Sequence, residues 1–151
     1  MFRGVNSINL DTKGRMAMPT RYRDRLEELC RGQMVVTIDT EDRCLLIYPL
    51  PEWEPIQRKV ESLSSFNPAS RRIQRLLIGH ATDIELDASG RLLLSPPLRE
   101  YAQLEKKTIL LGQGSKFELW SEECWLACRE TYTEKGTATE ELPDELQTLS
   151  L

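Results

Sequence analysis

Apolar and polar positions alternate with period two over Val5-Asn6-Ser7-Ile8-Asn9-Leu10 and again at Arg15-Met16-Ala17-Met18, a pattern that predicts two strands paired as a hairpin. Pro19 ends the pair, and the spacing then changes. Tyr22, Leu26 and Leu29 share one face of a helix predicted from residue 21 to about 30, with Thr20 as its N-cap and Gly32 as its C-terminal stop. Two more strands follow, Met34–Ile38 and Cys44–Tyr48, so the unit reads strand, strand, helix, strand, strand.

The same order returns further along the chain. Ala81–Leu86 and Arg91–Leu94 repeat the first pair, Ser95 and Pro96 open a short helix, and Thr108–Leu111 and Phe117–Trp120 repeat the last pair. Asp11-Thr12-Lys13-Gly14-Arg15 reappears as Asp87-Ala88-Ser89-Gly90-Arg91, and Leu45-Leu46-Ile47-Tyr48 aligns with Phe117-Glu118-Leu119-Trp120. A repeat of this length is one structural unit used twice. An amphipathic helix follows each last strand: Trp53, Ile56, Val60 and Leu63 mark the first, and Trp125 takes the place of Trp53 in the second. Pro55 removes a backbone donor just beyond the first turn and predicts an irregular helix there.

Between the copies, Asn67-Pro68 and the closing Gly79 bracket a helix over Ala69–Ile78, with Ile73, Leu76 and Leu77 as its apolar stripe and Arg71, Arg72 and Arg75 as a solvated face. The expected division is a first unit at 1–52, a helical connection at 53–80, a second unit at 81–124, and a helix with an acidic tail at 125–151. From Lys135 onward the polar, acidic stretch with Gly136 and Pro143 predicts a mobile tail or a weakly docked helix.

With 151 residues, 40% of them apolar and 29% charged, the chain suits one good core or two small units sharing one. No apolar run approaches the roughly 20 residues of a membrane span, which sets the expectation of a cytoplasmic protein. Cys30, Cys44, Cys124 and Cys128 contain no Cys-x-x-Cys pair, and His80 is the one histidine, so no metal and no cofactor is expected. The net charge of −4 argues at first against a polyanionic partner, but its distribution matters more. Residues 1–25 carry Arg3, Lys13, Arg15, Arg21, Arg23 and Arg25 against Asp11 and Asp24 alone, whereas residues 129–151 carry six carboxylates against two cations.

The turn between Asp11 and Arg15 has three residues, which suits a type I turn closed by a left-handed residue, and glycine takes that place in both copies as Gly14 and Gly90. The aspartates, Asp11 and Asp87, can accept from the turn's own amides and hold the arginines beside them. One reading makes each pair a register pin between strands. The other presents Arg15 and Arg91 to a phosphate or a guanine edge, for which a guanidinium suits both. The greater basicity of the first copy favours nucleic-acid contact by Arg15 and Lys13 first, with Arg3, Arg21, Arg23 and Arg91 as further candidates. Nothing comparable predicts an enzyme. His80 follows a helix end whose carbonyls it can meet, Gly112-Gln113-Gly114 reads as a turn between strands, and Trp53, Trp120 and Trp125 read as core.

The opening Met1-Phe2-Arg3-Gly4, the paired Asp-x-x-Gly-Arg motifs, Pro19–Arg23, Tyr48–Trp53, Arg75–Ala81 and Lys116–Trp120 together resemble the MraZ family of bacterial transcriptional regulators. The resemblance implies an α+β, mainly β fold: a tandem AbrB-like swapped-hairpin β-barrel, a pseudo-dimer in one chain with flanking helices. It also implies a ring-forming homo-oligomer in the nucleoid that binds double-stranded DNA at short repeated promoter boxes. There it would repress the division and cell-wall gene cluster, including its own gene. Arg15 with Asp11, and Arg91 with Asp87, inherit the DNA-contacting role on that resemblance. The alternative class is a protein-interaction or antitoxin-like scaffold whose acidic tail neutralises a basic partner.

Overall fold

The computed structural model describes residues 1–135 and 143–149 of the chain. The first repeat supplies β1 (Phe2–Asn9), β2 (Arg15–Ala17), α1 (Thr20–Cys30), β3 (Gln33–Ile38) and β4 (Leu45–Pro49), followed by α2 (Leu50–Glu61) and α3 (Pro68–Ile73). The second supplies β5 (Thr82–Glu85), β6 (Arg91–Leu93), α4 (Pro96–Tyr101), β7 (Lys107–Gly114), β8 (Phe117–Ser121) and α5 (Glu122–Lys135), with a short α6 at Asp144–Gln147.

The last pair of each repeat, β3–β4 and β7–β8, forms an antiparallel hairpin, but the first pair of each, β1–β2 and β5–β6, does not pair as its spacing predicts. β1 pairs with β7 of the other repeat, β5 with β3, and β2 with β6. The result is an antiparallel sheet in the order β1-β7-β8-β4-β3-β5 and a separate two-stranded ribbon of β2 and β6. Each repeat thus lends its first strand to the other's sheet, a swapped-hairpin arrangement inside one chain. The six-stranded order ends at β1 and β5, and the ribbon packs its inner side onto the shared core.

A pseudo-twofold axis follows from the registers. Met16 pairs with Leu92, its own repeat equivalent, and Leu46 pairs with its equivalent Glu118. Met16, Leu92, Met34, Ile47, Leu110 and Phe117 are buried in one cluster, so the two repeats share a single core. Phe117 of β8 packs tilted against Phe2 of β1 at 4.4 Å and edge-on against Tyr22 of α1 at 5.0 Å, joining both repeats through one aromatic group. Such ring pairs add to the burial of their area.

Several local expectations are corrected. Thr20 is the first helical residue of α1, because the extended Pro19 (φ −52°, ψ 137°) takes the cap position without a side-chain bond. The helix stops on two left-handed residues, Arg31 and Gly32, whose amides return to the Glu27 and Leu26 carbonyls. Helix α2 runs through Pro55 unbroken. There the missing N–H leaves only the Pro51 carbonyl without its usual i+4 donor. Gly112 and Gln113 belong to β7, and the turn to β8 lies between Gln113 and Lys116. A side chain at Gly112 would strike the backbone of Arg3 on the neighbouring strand.

The connecting helix begins as expected, with Asn67 Oδ1 accepting from the amides of Ala69 at 2.8 Å and Ser70 at 3.2 Å. Its last turn, Gln74–Ile78, is π-helical, and Gly79 ends it with right-handed geometry while its amide returns to the Gln74 carbonyl. The buried Thr37 hydroxyl donates to the Leu77 carbonyl at 2.6 Å, satisfying a group that the wide turn leaves open. His80 Nδ1 lies 2.8 Å from the Leu76 carbonyl, the helix-end role that its position predicts. The three tryptophans pack in two side clusters: Trp53 with Val35, Leu46 and Tyr48, and Trp120 and Trp125 with Cys44. The expected acidic tail falls largely on residues 136–142, 150 and 151, outside the described residues.

Candidate nucleic-acid interface

The alternation in β2 and β6 sends Met16 and Leu92 inward and leaves Arg15, Ala17, Arg91 and Leu93 on the outer face of the ribbon. Arg15 stands opposite Leu93, and Arg91 opposite Ala17. The two arginines are therefore diagonal neighbours, with backbones about 7–8 Å apart. Leu93 is 58% exposed between them, an apolar side chain that the fold does not use.

Each arginine leaves a turn closed by its own aspartate. Asp11 Oδ1 accepts from the amides of Lys13 and Arg15, both at 2.9 Å, and Oδ2 accepts from Arg15 Nε at 2.6 Å. The Gly14 amide donates to the Asp11 carbonyl at 3.1 Å, and Gly14 takes φ 86°, a left-handed conformation that favours glycine. In the second copy Asp87 Oδ1 accepts from Ser89 and Arg91 at 2.8 and 2.9 Å, and Oδ2 accepts from Arg91 Nε at 3.2 Å. Both arginines spend Nε on the aspartate and have no acceptor for their Nη groups among the described residues. Because β1 pairs with β7 and β2 with β6, the ion pair pins no register between neighbouring strands; it closes its own turn and orients the guanidinium.

The bonds show in the acidity of the aspartates. The Arg15 amide, then the Arg15 side chain and the Lys13 amide, hold the Asp11 carboxyl at about 2, below its ordinary 3.8, against a partial desolvation that acts the other way. Asp87 is lowered by the same kind of bonds, led by the Arg91 amide. A carboxyl with a depressed folded-state value lends stability that is complete above its unfolded value and fades as pH falls through the folded one. Carboxyl-carbon NMR titration is therefore expected to give an Asp11 midpoint near 2, with turn order lost between pH 3.8 and 2; a midpoint at the ordinary value would contradict the closed turn.

The strand exchange also places an arginine of each repeat on the other's turn. Arg99 of α4 lies against Gly14, where an added Cβ would strike its guanidinium, and its Nε donates to the Leu94 carbonyl at 3.0 Å. The Leu94 amide in turn donates to the Gly14 carbonyl at 3.0 Å. Arg23 of α1 lies against Gly90 in the same way, donating from Nε to the Met18 carbonyl at 2.6 Å while the Met18 amide donates to Gly90 at 2.9 Å. The ribbon thus has a basic group at each end, one with Lys13, Arg15 and Arg99 and one with Arg91 and Arg23. Counting charge by linear copy, as the sequence invites, misses this exchange.

The candidates from the sequence divide accordingly. Arg15, Lys13, Arg91 and Arg23, with Asp11, Gly14, Asp87 and Gly90, meet around the ribbon. Arg3 and Arg21 do not. Arg3 lies near the start of β1, about eight extended residues or roughly 25 Å from the Asp11 turn. Arg21 is tied there too, donating to the Asn6 side chain and to the Tyr22 hydroxyl at 2.9 Å, with its guanidinium 4.8 Å from the Tyr22 ring centre. Arg99 is absent from the sequence-based candidates, although its equivalence to Arg23 in the repeat was the signal that could have found it.

The family model of the MraZ protein, described as antitoxin-like, matches the chain twice, at residues 1–76 and 77–144. The chain belongs to the MraZ family. The MraZ match by halves coincides with the internal repeat and its exchanged strands. Relatives named Transcriptional regulator MraZ from Halorhodospira halophila and Thioalkalivibrio sulfidiphilus are each 55% identical, and one from Coxiella burnetii is 57% identical. In each case the alignment spans the full length of both chains. Among the described residues of this MraZ chain, no helix is long and apolar enough to cross a membrane.

Proposed function

We propose that this chain is a transcriptional regulator that represses by binding duplex DNA through the β2–β6 ribbon. The observation that carries the reading is the outer ribbon face, where two guanidiniums are fixed by their aspartates and keep their terminal donors available. A two-stranded β-ribbon fits the major groove, about 12 Å wide, and arginine is the usual partner of the guanine edge there. Arg15 and Arg91 read bases on this account, and Lys13 meets a phosphate. Arg3 stands near the far end of β1, and Arg21 is engaged by Asn6 and the Tyr22 hydroxyl, so neither is assigned a base contact. Residues 1–52 and 81–124 each give one strand of the reading ribbon.

The names of the full-length relatives support regulation of transcription. The finer reading is a nucleoid-associated homo-oligomer, arranged as a ring, that binds short repeated boxes in the promoter of the division and cell-wall gene cluster and so controls its own gene. Several modest basic sites held on one assembly raise the effective concentration of each later contact, which answers the chain's overall acidity. The description antitoxin-like, with the exposed Asp144 and Glu145 at the start of a short helix, favours a second reading as a scaffold for a basic protein.

Binding of the purified protein to duplexes from upstream of its own gene, carrying one, two or three copies of any repeated box, distinguishes the two. Affinity is expected to rise with copy number and fall steeply with salt. No salt-dependent binding, together with a basic protein copurifying in stoichiometric amount, would establish the scaffold instead.

A further inference from the structure

Arg23 and Arg99 are immobilised without being used up. Each guanidinium rests on a turn glycine of the other repeat and spends Nε on a backbone carbonyl, Met18 for Arg23 and Leu94 for Arg99. Neither forms an ion pair among the described residues, and no acceptor there meets their Nη groups. A guanidinium already held in place loses little freedom when it takes up an oxyanion, and its two terminal nitrogens present the fork that matches phosphate.

Gly14 and Gly90 stand at opposite ends of the ribbon, since Gly14 bonds to Leu94 and Gly90 to Met18 across the pair. Four extended residues separate Gly14 from Met18, so the two ends are about 14 Å apart, close to the width of a major groove of about 12 Å. Arg99 also lines a groove with Thr12, Gly14 and Lys106, where Lys106 adds a second cation and Glu105 and Asp11 add carboxylates. Asp11 is already engaged by Arg15.

We propose that Arg99 and Arg23 are phosphate clamps, one at each rim of the groove that the ribbon enters, each seated by the turn of the opposite repeat. The inference rests on the reading of the ribbon as a DNA-binding surface and divides its labour. The central arginines select sequence, and the outer pair fixes register on the backbone. Each clamp needs both repeats, so neither half of the chain contains a complete one.

The test uses the full-length protein with two duplexes of equal length, one from upstream of its own gene and one scrambled, across 50–200 mM salt. Each phosphate contact contributes about 0.9 to the slope of log affinity on log salt. Arg99→Gln and Arg23→Gln are each expected to lower that slope by about one for every ribbon engaged, and the double variant by about two per ribbon, which leaves the ratio of affinities for the two duplexes unchanged. Arg99→Lys, which keeps the charge but not the seat on Leu94, should keep the slope while weakening both duplexes alike. Circular dichroism at the assay temperature selects the folded variants, and the lysine form decides if the glutamine form is unfolded. An unchanged slope in a folded glutamine variant, a reduced slope in the lysine variant, or a collapse of the affinity ratio would overturn the clamp. Arg15→Ala run in parallel separates the two layers. If it loses selectivity while the outer variants keep their slopes, the clamp alone fails; if the unaltered protein binds neither duplex, the ribbon reading fails with it.

Discussion

Arg15→Ala is expected to abolish binding to box-containing promoter DNA while leaving the fold and its assembly intact. A bidentate arginine contact to a base is worth about 1–3 kcal/mol, and an oligomer loses that amount at every engaged ribbon, so the deficit multiplies across repeated boxes. The turn itself does not need the guanidinium. Asp11 still accepts from the amides of Lys13 and Arg15, and Gly14 keeps its bond to the Asp11 carbonyl. What is removed from the folded state is one ion pair whose side chains are 30% and 36% exposed, where water screens the attraction and leaves it a minor part of the stability. Anisotropy at matched salt checks the binding, and the urea midpoint and solution mass check the rest. Retained affinity in the folded variant would remove Arg15 from the interface.

The second large effect is on stability. Leu92 is fully buried, faces its repeat equivalent Met16 across the ribbon, and belongs to the core shared by both repeats. Leu92→Ala is expected to cost about 2–5 kcal/mol, the range for removing a buried leucine and leaving part of its cavity. Because the inner face of the ribbon is its main attachment to the core, the same change should loosen Arg15 and Arg91 and weaken DNA binding before the protein unfolds. The adjoining Leu93 supplies the control. It points outward and is 58% exposed, so Leu93→Ala should leave the denaturant midpoint within about 0.5 kcal/mol of the unaltered protein. Equal effects at the two positions would mean that the ribbon does not alternate as described.

Much of this architecture was legible in the chain because hydrophobic periods are local. The alternation at Val5–Leu10, the helical spacing of Tyr22, Leu26 and Leu29, and the Asn67-Pro68 start all point to elements that the structure contains. Pairing is a different matter. An alternating strand buries the same face whether its partner is the next strand or an equivalent strand of the other repeat, so the residues alone favoured the nearer hairpin, and only the family resemblance implied exchange. Thr20 failed as a cap for a similar reason: its side chain suits the position, but the backbone of Pro19 already occupies it. At the site, the Asp-turn-Arg geometry was readable from spacing and glycine. The seats of Arg23 and Arg99 were not, because each contact joins an arginine to a glycine of the opposite repeat, and no period in the chain encodes it.

The exchange also explains why two motifs of unequal local charge occupy one surface. Lys13 in the first turn becomes Ser89 in the second, and the second repeat is acidic around its turn. Yet β2 and β6 lie side by side, so Arg15 and Arg91 share a face whatever their neighbours in sequence. Each turn then receives its second arginine from the other repeat. A pseudo-dimer within one chain can vary its two turns independently, which two identical subunits could not do.

Hydrogen-exchange mass spectrometry of the full-length protein, with and without a saturating duplex from upstream of its own gene, locates the surface that DNA covers. Protection is predicted in peptides covering residues 11–18 and 87–94 together, the two turns and the ribbon that they feed. Protection confined to the Arg3 and Arg21 end of β1 or to α5, with the ribbon peptides unchanged, would contradict it.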